Sequence, residues 1–254
     1  MRFTLLGSLC LGLLVAMPAV ADEVAPLPPI HIAVPAMDDD PDNGIEHPLV
    51  EYVRSWSELT GRELVIERFP FKRSIRLAAT GQVDFHFPLI MDPEVDQSSL
   101  PFDYSSERIG SVNFVLYTRE GETVDMSHPE NYRLSTFGGH AELFPFAIEE
   151  DYSVEGSLMK LKTGRIDGYI FADSGGDPAL IELGLSGIHR TFYKTYAVHA
   201  VLPRSERGEQ ADAFISQAVA LSREANGQLV FLDLPFEDWQ TGDLLTPAVV
   251  QVQK

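Results

Sequence analysis

Cysteine is nearly absent from this sequence of 254 residues, because the single one, Cys10, lies in an apolar stretch near the start. One thiol cannot form a disulfide within the chain, and it cannot supply a metal site built from several cysteines. The fold must therefore be held by its hydrophobic core, which a chain of this length makes large enough without cross-links.

Basic residues are also scarce. The sequence has 19 Lys and Arg residues against 38 Asp and Glu residues, which gives a formal net charge of −19. A surface of this sign repels phosphate backbones and anionic headgroups, so the composition argues against a nucleic acid or an anionic membrane surface as partner. The excess negative charge favours solubility, and it also attracts cationic ligands.

Long apolar runs are missing except at the start. Arg2 precedes an apolar run over residues 5–17, and the small residues of Ala19-Val20-Ala21 follow it. This run is shorter than the roughly 20 residues of a membrane-spanning helix, and the pattern predicts a cleaved secretory signal. We expect export to the periplasm, cleavage after Ala21 and a soluble mature chain that begins at Asp22.

Motifs for metal, nucleotide and nucleophilic chemistry are absent as well. The seven histidines show no metal-ligand spacing, and there is no H-E-x-x-H, G-x-S-x-G, phosphate-binding or dinucleotide motif. The acidic loop of residues 38–44 (DDDPDNG) fails as a calcium loop, because Asn43 stands where glycine is needed and Leu49 where a bidentate glutamate is needed. We therefore predict no metal and no cofactor.

The first third of the mature chain has the pattern of an α/β layer. Residues 30–34 (IHIAV) predict a short strand, and Pro48 opens a helix whose apolar residues recur at helical spacing as far as Leu59. Gly61 stands at the expected C-terminal cap, and residues 64–66 (LVI) predict the next strand. A strand, a helix and a second strand in this order indicate a parallel sheet.

The most informative feature is a short internal sequence repeat. Residues 80–84 read TGQVD and residues 163–167 read TGRID, and each follows an amphipathic stretch and precedes an apolar one. The glycine suits the left-handed residue that ends a helix, and the aspartate can bind backbone amides at the start of a strand. Two copies predict two similar α/β halves.

The second half continues this pattern. Residues 134–137 predict a strand, followed by the Gly138-Gly139-His140 turn and a helical stretch that Pro145 interrupts, and Asp177-Pro178 predicts the start of another helix.

Two alternating segments, residues 112–116 and 196–202, predict strands that cross between the halves. The predicted domains are a signal over residues 1–21, a first lobe of residues 22–112 plus 201–254, and a second lobe of residues 113–200.

Six short segments, in the right order, carry a family resemblance. They are the L-x-x-x-G-x-V-D pattern ending at Asp84, residues 101–105 (PFDYS), residues 136–140 (TFGGH), residues 164–167 (GRID), residues 201–204 (VLPR), and Asn226-Gly227 followed by Trp239. With these segments the chain resembles the periplasmic solute-binding proteins of the amino-acid type, called family three. This resemblance implies a monomer with two lobes, each a mostly parallel sheet flanked by helices, joined by two crossing strands around a ligand cleft.

One departure from the family bears on the ligand. Members that bind amino acids carry a Thr-x-Glu-Arg type segment whose arginine clamps the ligand carboxylate, whereas Val95 stands in the arginine's place here. The acidic residue that meets the ligand ammonium falls at Ala172 by strict spacing, with Asp173 one position away. We therefore do not expect an ordinary α-amino acid as ligand.

The candidate ligand contacts leave several alternatives open. Asp38 and Asp39 either are solvated or favour a cation, and Arg73 is either a surface or capping residue or a clamp for an anion. A zwitterion or a polar neutral ligand reconciles these opposite charges. Phe71 either stacks on the ligand or belongs to the core.

The remaining candidates come from three segments. The apolar segment of residues 87–92 is expected to line the first lobe's side of the cleft, and the Gly138-Gly139 turn either offers amides to an anion or is a simple left-handed turn. Residues 173–176 (DSGG) are expected to form a flexible loop. The predicted ligand-binding residues are Asp38, Asp39, Phe71, Arg73, Pro88, Leu89, Asp92, Gly138, Gly139, His140, Asp173 and Ser174.

Three functions fit these features. The leading hypothesis is a non-enzymatic receptor that delivers a small polar solute to an ABC-type inner-membrane permease. The same lobes would also serve as a sensing module for a membrane signalling protein. A third hypothesis is a periplasmic dehydratase-like enzyme, which needs a carboxylate clamp and a general acid in the cleft.

Overall fold

The computed structural model describes residues 27–36, 48–226 and 235–240. The predicted signal and the acidic loop with Asp38 and Asp39 lie outside the described residues. The strands are β1 Ile30–Pro35, β2 Leu64–Phe69, β3 Phe85–Met91, β4 Asp103–Tyr104, β5 Gly110–Arg119, β6 Leu134–Phe137, β7 Glu149–Asp151, β8 Gly168–Ala172 and β9 Ile188–Leu202. The helices are α1 Pro48–Thr60, α2 Phe71–Ala79, α3 Val154–Lys162, α4 Asp173–Glu182 and α5 Glu206–Asn226.

The strands form one mixed sheet in the order β2-β1-β3-β9-β5-β8-β6-β7, and β4 also pairs with β9. Strands β1, β2 and β3 are parallel to one another at one end, and β6, β7 and β8 are parallel at the other. The antiparallel strands β5 and β9 join these two groups. The predicted α/β class with two mostly parallel halves is confirmed. No helix in the described ranges is long and apolar enough to cross a bilayer.

Strands β5 and β9 are the predicted crossings between the lobes. The first part of β9 pairs with β5, the last part pairs with β3 and β4, and Ala197 and Val198 pair with both β3 and β5. Phe114 opposes Lys194 while the next residue of β5 opposes Phe192, so Tyr193 is an extra residue in β9. A bulge of this kind bends a strand, and here it lies just before the residues of β9 that pair with both β3 and β5.

The repeated Thr-Gly-x-x-Asp segments have matching geometry. Gly81 and Gly164 end α2 and α3 with φ of 70° and 71°, a left-handed conformation that glycine adopts without steric cost. Asp84 accepts a hydrogen bond from the amide of β1 residue His31 at 2.6 Å, and Asp167 accepts one from the amide that precedes β6 at 2.9 Å. Each aspartate therefore links two neighbouring parallel strands of its own lobe.

Two helix predictions in the second lobe are wrong. After His140 only one 3₁₀ turn forms, Ala141–Leu143, and the chain then continues into β7. Helix α4 begins at Asp173 and contains Pro178, so the DSGG segment is its first turn and not a flexible loop.

Close packing explains the early start of α4. A Cβ on Gly176 would lie 2.4 Å from the hydroxyl oxygen of Tyr117, and one on Gly175 would lie 2.7 Å from the ring of Phe171. Only glycine lets this turn approach β5 and β8 so closely. Pro178 lies in the second turn, so the only helical hydrogen bond that its missing N–H removes is one to Ser174.

The expected division of the chain into lobes stays a prediction, and the position of residues 235–240 is relevant to it. Residues 235–240 are assigned by that division to the first lobe. In the structure, Phe236 and Trp239 pack against the core of the second lobe, which contains Tyr117, Leu158 and Leu180. The described chain therefore returns to the second lobe after α5.

Candidate functional site

Elements of both lobes meet where the parallel strands have their carboxyl ends, as expected for an α/β ligand site. Phe71 begins α2 in the first lobe, and its ring stacks on His140 of the second lobe with centroids 4.7 Å apart and planes 30° apart. The same ring meets His86 of β3 edge-on at 5.4 Å and Phe137 of β6 at 6.2 Å. Phe71 and His140 are thus brought together across the cleft.

Further aromatic rings continue this cluster behind His140. Phe114 of β5 lies 5.9 Å from His140 and 4.9 Å from Tyr196 of β9. Phe171 of β8 lies 5.4 Å from Phe137. Aromatic pairs at such distances add specific geometry to area burial, and these rings belong to or pack against the buried core between the lobes.

His86 is a buried, neutral member of this cluster. Its Nε2 lies 3.0 Å from the carbonyl oxygen of Pro88, which only accepts, so Nε2 carries the proton. Nδ1 then accepts from the hydroxyl of Ser74 at 2.5 Å. Burial lowers the pKa of His86 to about 3. The imidazole is therefore uncharged at neutral pH.

His140 is also neutral in this position. Burial lowers its pKa to about 4, against weaker opposing effects of the Phe137 carbonyl and the Glu150 carboxylate. Its Nδ1 lies 3.2 Å from the Phe137 carbonyl oxygen and is the donor in that contact. The stacked faces of Phe71 and His140 therefore carry no charge at neutral pH.

The glycine turn before His140 is closely packed. Gly139 has φ of 98°, and a Cβ there would lie 2.5 Å from the Phe71 ring. Its amide donates to the carboxylate of Glu150 at 3.0 Å, and the Gly138 amide donates to the carbonyl of Asp151 at 2.6 Å. The turn is left-handed at Gly139, and the amide of Gly139 donates to a carboxylate of the chain itself; that the turn binds an anionic group of a ligand stays a prediction.

Glu150 also forms an ion pair with Lys72 of α2, which lies in the opposite lobe. Burial acts to raise the pKa of Glu150, but hydrogen bonds from Lys72 and the Gly139 amide outweigh it and hold the pKa below its usual value. The hydrogen bond with Glu150 raises the pKa of Lys72 in turn. This pair is a charged contact between the lobes.

Asp92 follows β3 and is 1% exposed. Both of its carboxylate oxygens accept from Nζ of Lys194 at 2.8 Å, and Oδ1 also accepts from the amide of Glu94 at 3.0 Å. Lys194 lies on β9 beside the bulge. The candidate Asp92 is therefore bound to a lysine of the crossing strand.

Asp173 and Ser174 lie at the start of α4 in the second lobe. One carboxylate oxygen of Asp173 accepts from the side-chain amide of Asn113 at 3.2 Å, and the other accepts from the amide of Ser174 at 2.7 Å. Burial raises the pKa of Asp173 although these donors oppose it. Asn113 in turn accepts from the hydroxyl of Thr195 at 2.8 Å, so β5, β9 and α4 are joined here.

Three further residues, Arg73, Leu89 and Pro88, were predicted to contact the ligand. Arg73 is exposed, with its guanidinium 5.1 Å from the ring of Phe69. Leu89 is buried in the core, and Pro88 is partly buried with its carbonyl toward His86. Whether any of these residues touches a ligand stays a prediction.

Four polar residues of the cleft were not among the predicted contacts: Lys72, Glu150, Lys194 and Asn113. Asn113 could have been identified as a candidate from the sequence, because it is a polar residue within an otherwise apolar predicted strand. The other three are ordinary charged residues whose importance depends on which partners the fold brings within reach.

Comparisons with known proteins were informative only at the level of structure. No protein-family model matches the chain, and no curated protein matches it. A histidine kinase sensor domain similar to periplasmic binding proteins superposes with a TM-score of 0.63 at 12% identity, covering 82% of this chain and 98% of that one.

Two further structures contain amino-acid ligands. An ancestral arginine-binding protein bound to arginine has a TM-score of 0.61 at 12% identity and covers 79% of this chain and 94% of its own. The GluR0 ligand-binding core from Nostoc punctiforme in complex with (L)-glutamate has a TM-score of 0.61 at 16% identity, with 79% and 95% covered. At these identities the likeness establishes the fold. The chain therefore has the two-lobed periplasmic-binding-protein fold.

Proposed function

We propose that this protein is an exported receptor that binds a small polar solute between its two lobes and presents it to an ABC-type permease of the inner membrane. The observation that carries this proposal is the interlobe cluster at the carboxyl ends of the strands, where Phe71 and His140 come from opposite lobes. A ligand held between lobes favours their closure, and closure is a signal that a membrane partner can recognise.

The test is to identify what the protein binds. Mass spectrometry of small molecules that co-purify with the protein should reveal a specific solute, and adding it to stripped protein should raise the melting temperature. A ligand at 100 times its Kd adds about 2.7 kcal/mol to the free energy of unfolding. If no co-purifying molecule and no member of a broad metabolite panel shifts the melting temperature, the receptor proposal fails.

A sensing role is the second candidate, and the likeness to a histidine kinase sensor domain favours it. In this case the solute-bound lobes report to a membrane signalling protein. Cross-linking in the native host, followed by identification of the captured membrane protein, separates the roles. A permease supports transport, whereas a kinase or cyclase supports sensing.

A further inference from the structure

We infer that Glu150 acts as a tethered anion, which fills the anion-binding turn of the second lobe and joins that turn to Lys72 of the first lobe. This inference rests on the proposed function for its consequence, which concerns the class of ligand. With the turn filled from within the chain, an acidic group of the ligand could reach the Gly139 amide only by displacing Glu150.

The geometry of Glu150 is that of a bound anion. One carboxylate oxygen accepts from the amide of Gly139, and the other meets the ammonium of Lys72. The Glu150 side chain is only 17% exposed, whereas that of Lys72 is 53% exposed. An exposed ion pair alone is weak, but this carboxylate is largely buried and has a second, backbone donor.

Two other cations near this site differ in their partners. Lys194 holds both oxygens of Asp92, and the guanidinium of Arg73 lies against the ring of Phe69. A carboxylate could reach Lys194 only by displacing Asp92, whereas the exposed guanidinium of Arg73 could bind one without leaving the Phe69 ring. The uncharged faces of Phe71 and His140 are stacked on each other, so a flat group could bind between them only by separating the two rings.

The test measures the distance between the lobes. Cys10 is the only cysteine of the sequence, so a Cys10→Ser background leaves two engineered cysteines as the only thiols. Glu58 of α1 and Glu182 of α4 are exposed positions in opposite lobes, and Glu58→Cys with Glu182→Cys provides sites for a pair of spin labels.

Glu150→Ala should shift the spin–spin distance to larger values by more than about 2 Å, as expected for a rearrangement of lobes. Lys72→Met should give the same shift. This variant breaks the Lys72–Glu150 pair but leaves the hydrogen bond between Glu150 and the Gly139 amide in place. Glu149→Ala is the matched control, because this exposed neighbour on β7 points to the other face of the sheet.

Chemical rescue tests the role of the carboxylate itself. Acetate should return the Glu150→Ala distance to the wild-type value, while acetamide, which has the same shape without the charge, should not. If Glu150→Ala and Lys72→Met behave like Glu149→Ala, or if acetate and acetamide act alike, the inference is overturned. Either result leaves the receptor proposal standing, since that proposal is tested by the solute that the wild-type protein binds.

Discussion

At the scale of single residues, this protein places uncharged imidazoles where the lobes touch. His86 is fixed by a hydroxyl donor and a carbonyl acceptor, and His140 stacks on Phe71. Both rings are buried, and their pKa values of about 3 and about 4 lie below the ordinary histidine value of 6.5. Because these rings are uncharged at neutral pH, the contact between the lobes stays apolar. At acid pH, keeping them buried and uncharged lowers the free energy of unfolding.

The stability of the protein should therefore fall as the pH drops below about 6.5. In this range the unfolded chain takes up protons that the folded His86 and His140 do not, and the loss grows until the folded pKa values are reached. Each histidine should cost about 2 kcal/mol at pH 5 relative to pH 7.5. Urea unfolding of the wild type and of His140→Phe at both pH values measures this effect.

His140→Phe keeps a ring against Phe71 and should remove about 2 kcal/mol of the pH dependence. The control is His128→Asn, a histidine substitution at an exposed position. An identical slope in the wild type and in His140→Phe would contradict the role given to His140.

At the scale of elements, the second lobe is joined to residues 235–240 through Arg190 of β9. Arg190 is 2% exposed and pairs with Asp177 of α4 at 2.7 and 2.5 Å. Its guanidinium also donates to the carbonyl of Trp239 at 2.9 Å and lies 3.8 Å from the centre of that indole. One buried cation thus holds a helix, a strand and the returning segment together.

Arg190→Met should destabilise the protein by about 3–5 kcal/mol, because it leaves the half-buried Asp177 without its cation. The matched control is Arg204→Met, which removes a 2.8 Å pair with Asp103 on the surface and should cost at most about 1 kcal/mol. Urea unfolding of the two variants gives the comparison. Equal losses would show that burial of the Arg190 pair does not matter.

The elements also show what the sequence can predict. The repeated Thr-Gly-x-x-Asp segments and the crossing strands were predictable, because each depends on local rules for helix ends and alternation. The start of α4 was not, since it depends on the fit of Gly176 against Tyr117 across the lobe. The same holds for Glu150 and Lys72, which lie far apart in the sequence and meet only because the lobes do.

At the scale of the whole molecule, the two lobes are held by different kinds of contact. The rings of Phe71 and His140 and the Lys72–Glu150 pair join opposite sides of the cleft. The Asp92–Lys194 pair instead fixes the end of β3 to the crossing strand beside its bulge. The first set must separate for a ligand to enter, whereas the second can persist through opening.

The Asp92–Lys194 pair should therefore support the fold and not the closure of the cleft. Lys194→Met leaves the buried Asp92 carboxylate without its cation and should cost about 3 kcal/mol or more, and the double variant with Asp92→Asn should recover part of this loss. Arg223→Met, which removes an exposed pair with Glu107, should change little. Urea unfolding measures these losses, and small-angle scattering should give the wild-type radius of gyration for the folded Lys194→Met protein. A larger radius would instead assign this pair to the closure of the lobes.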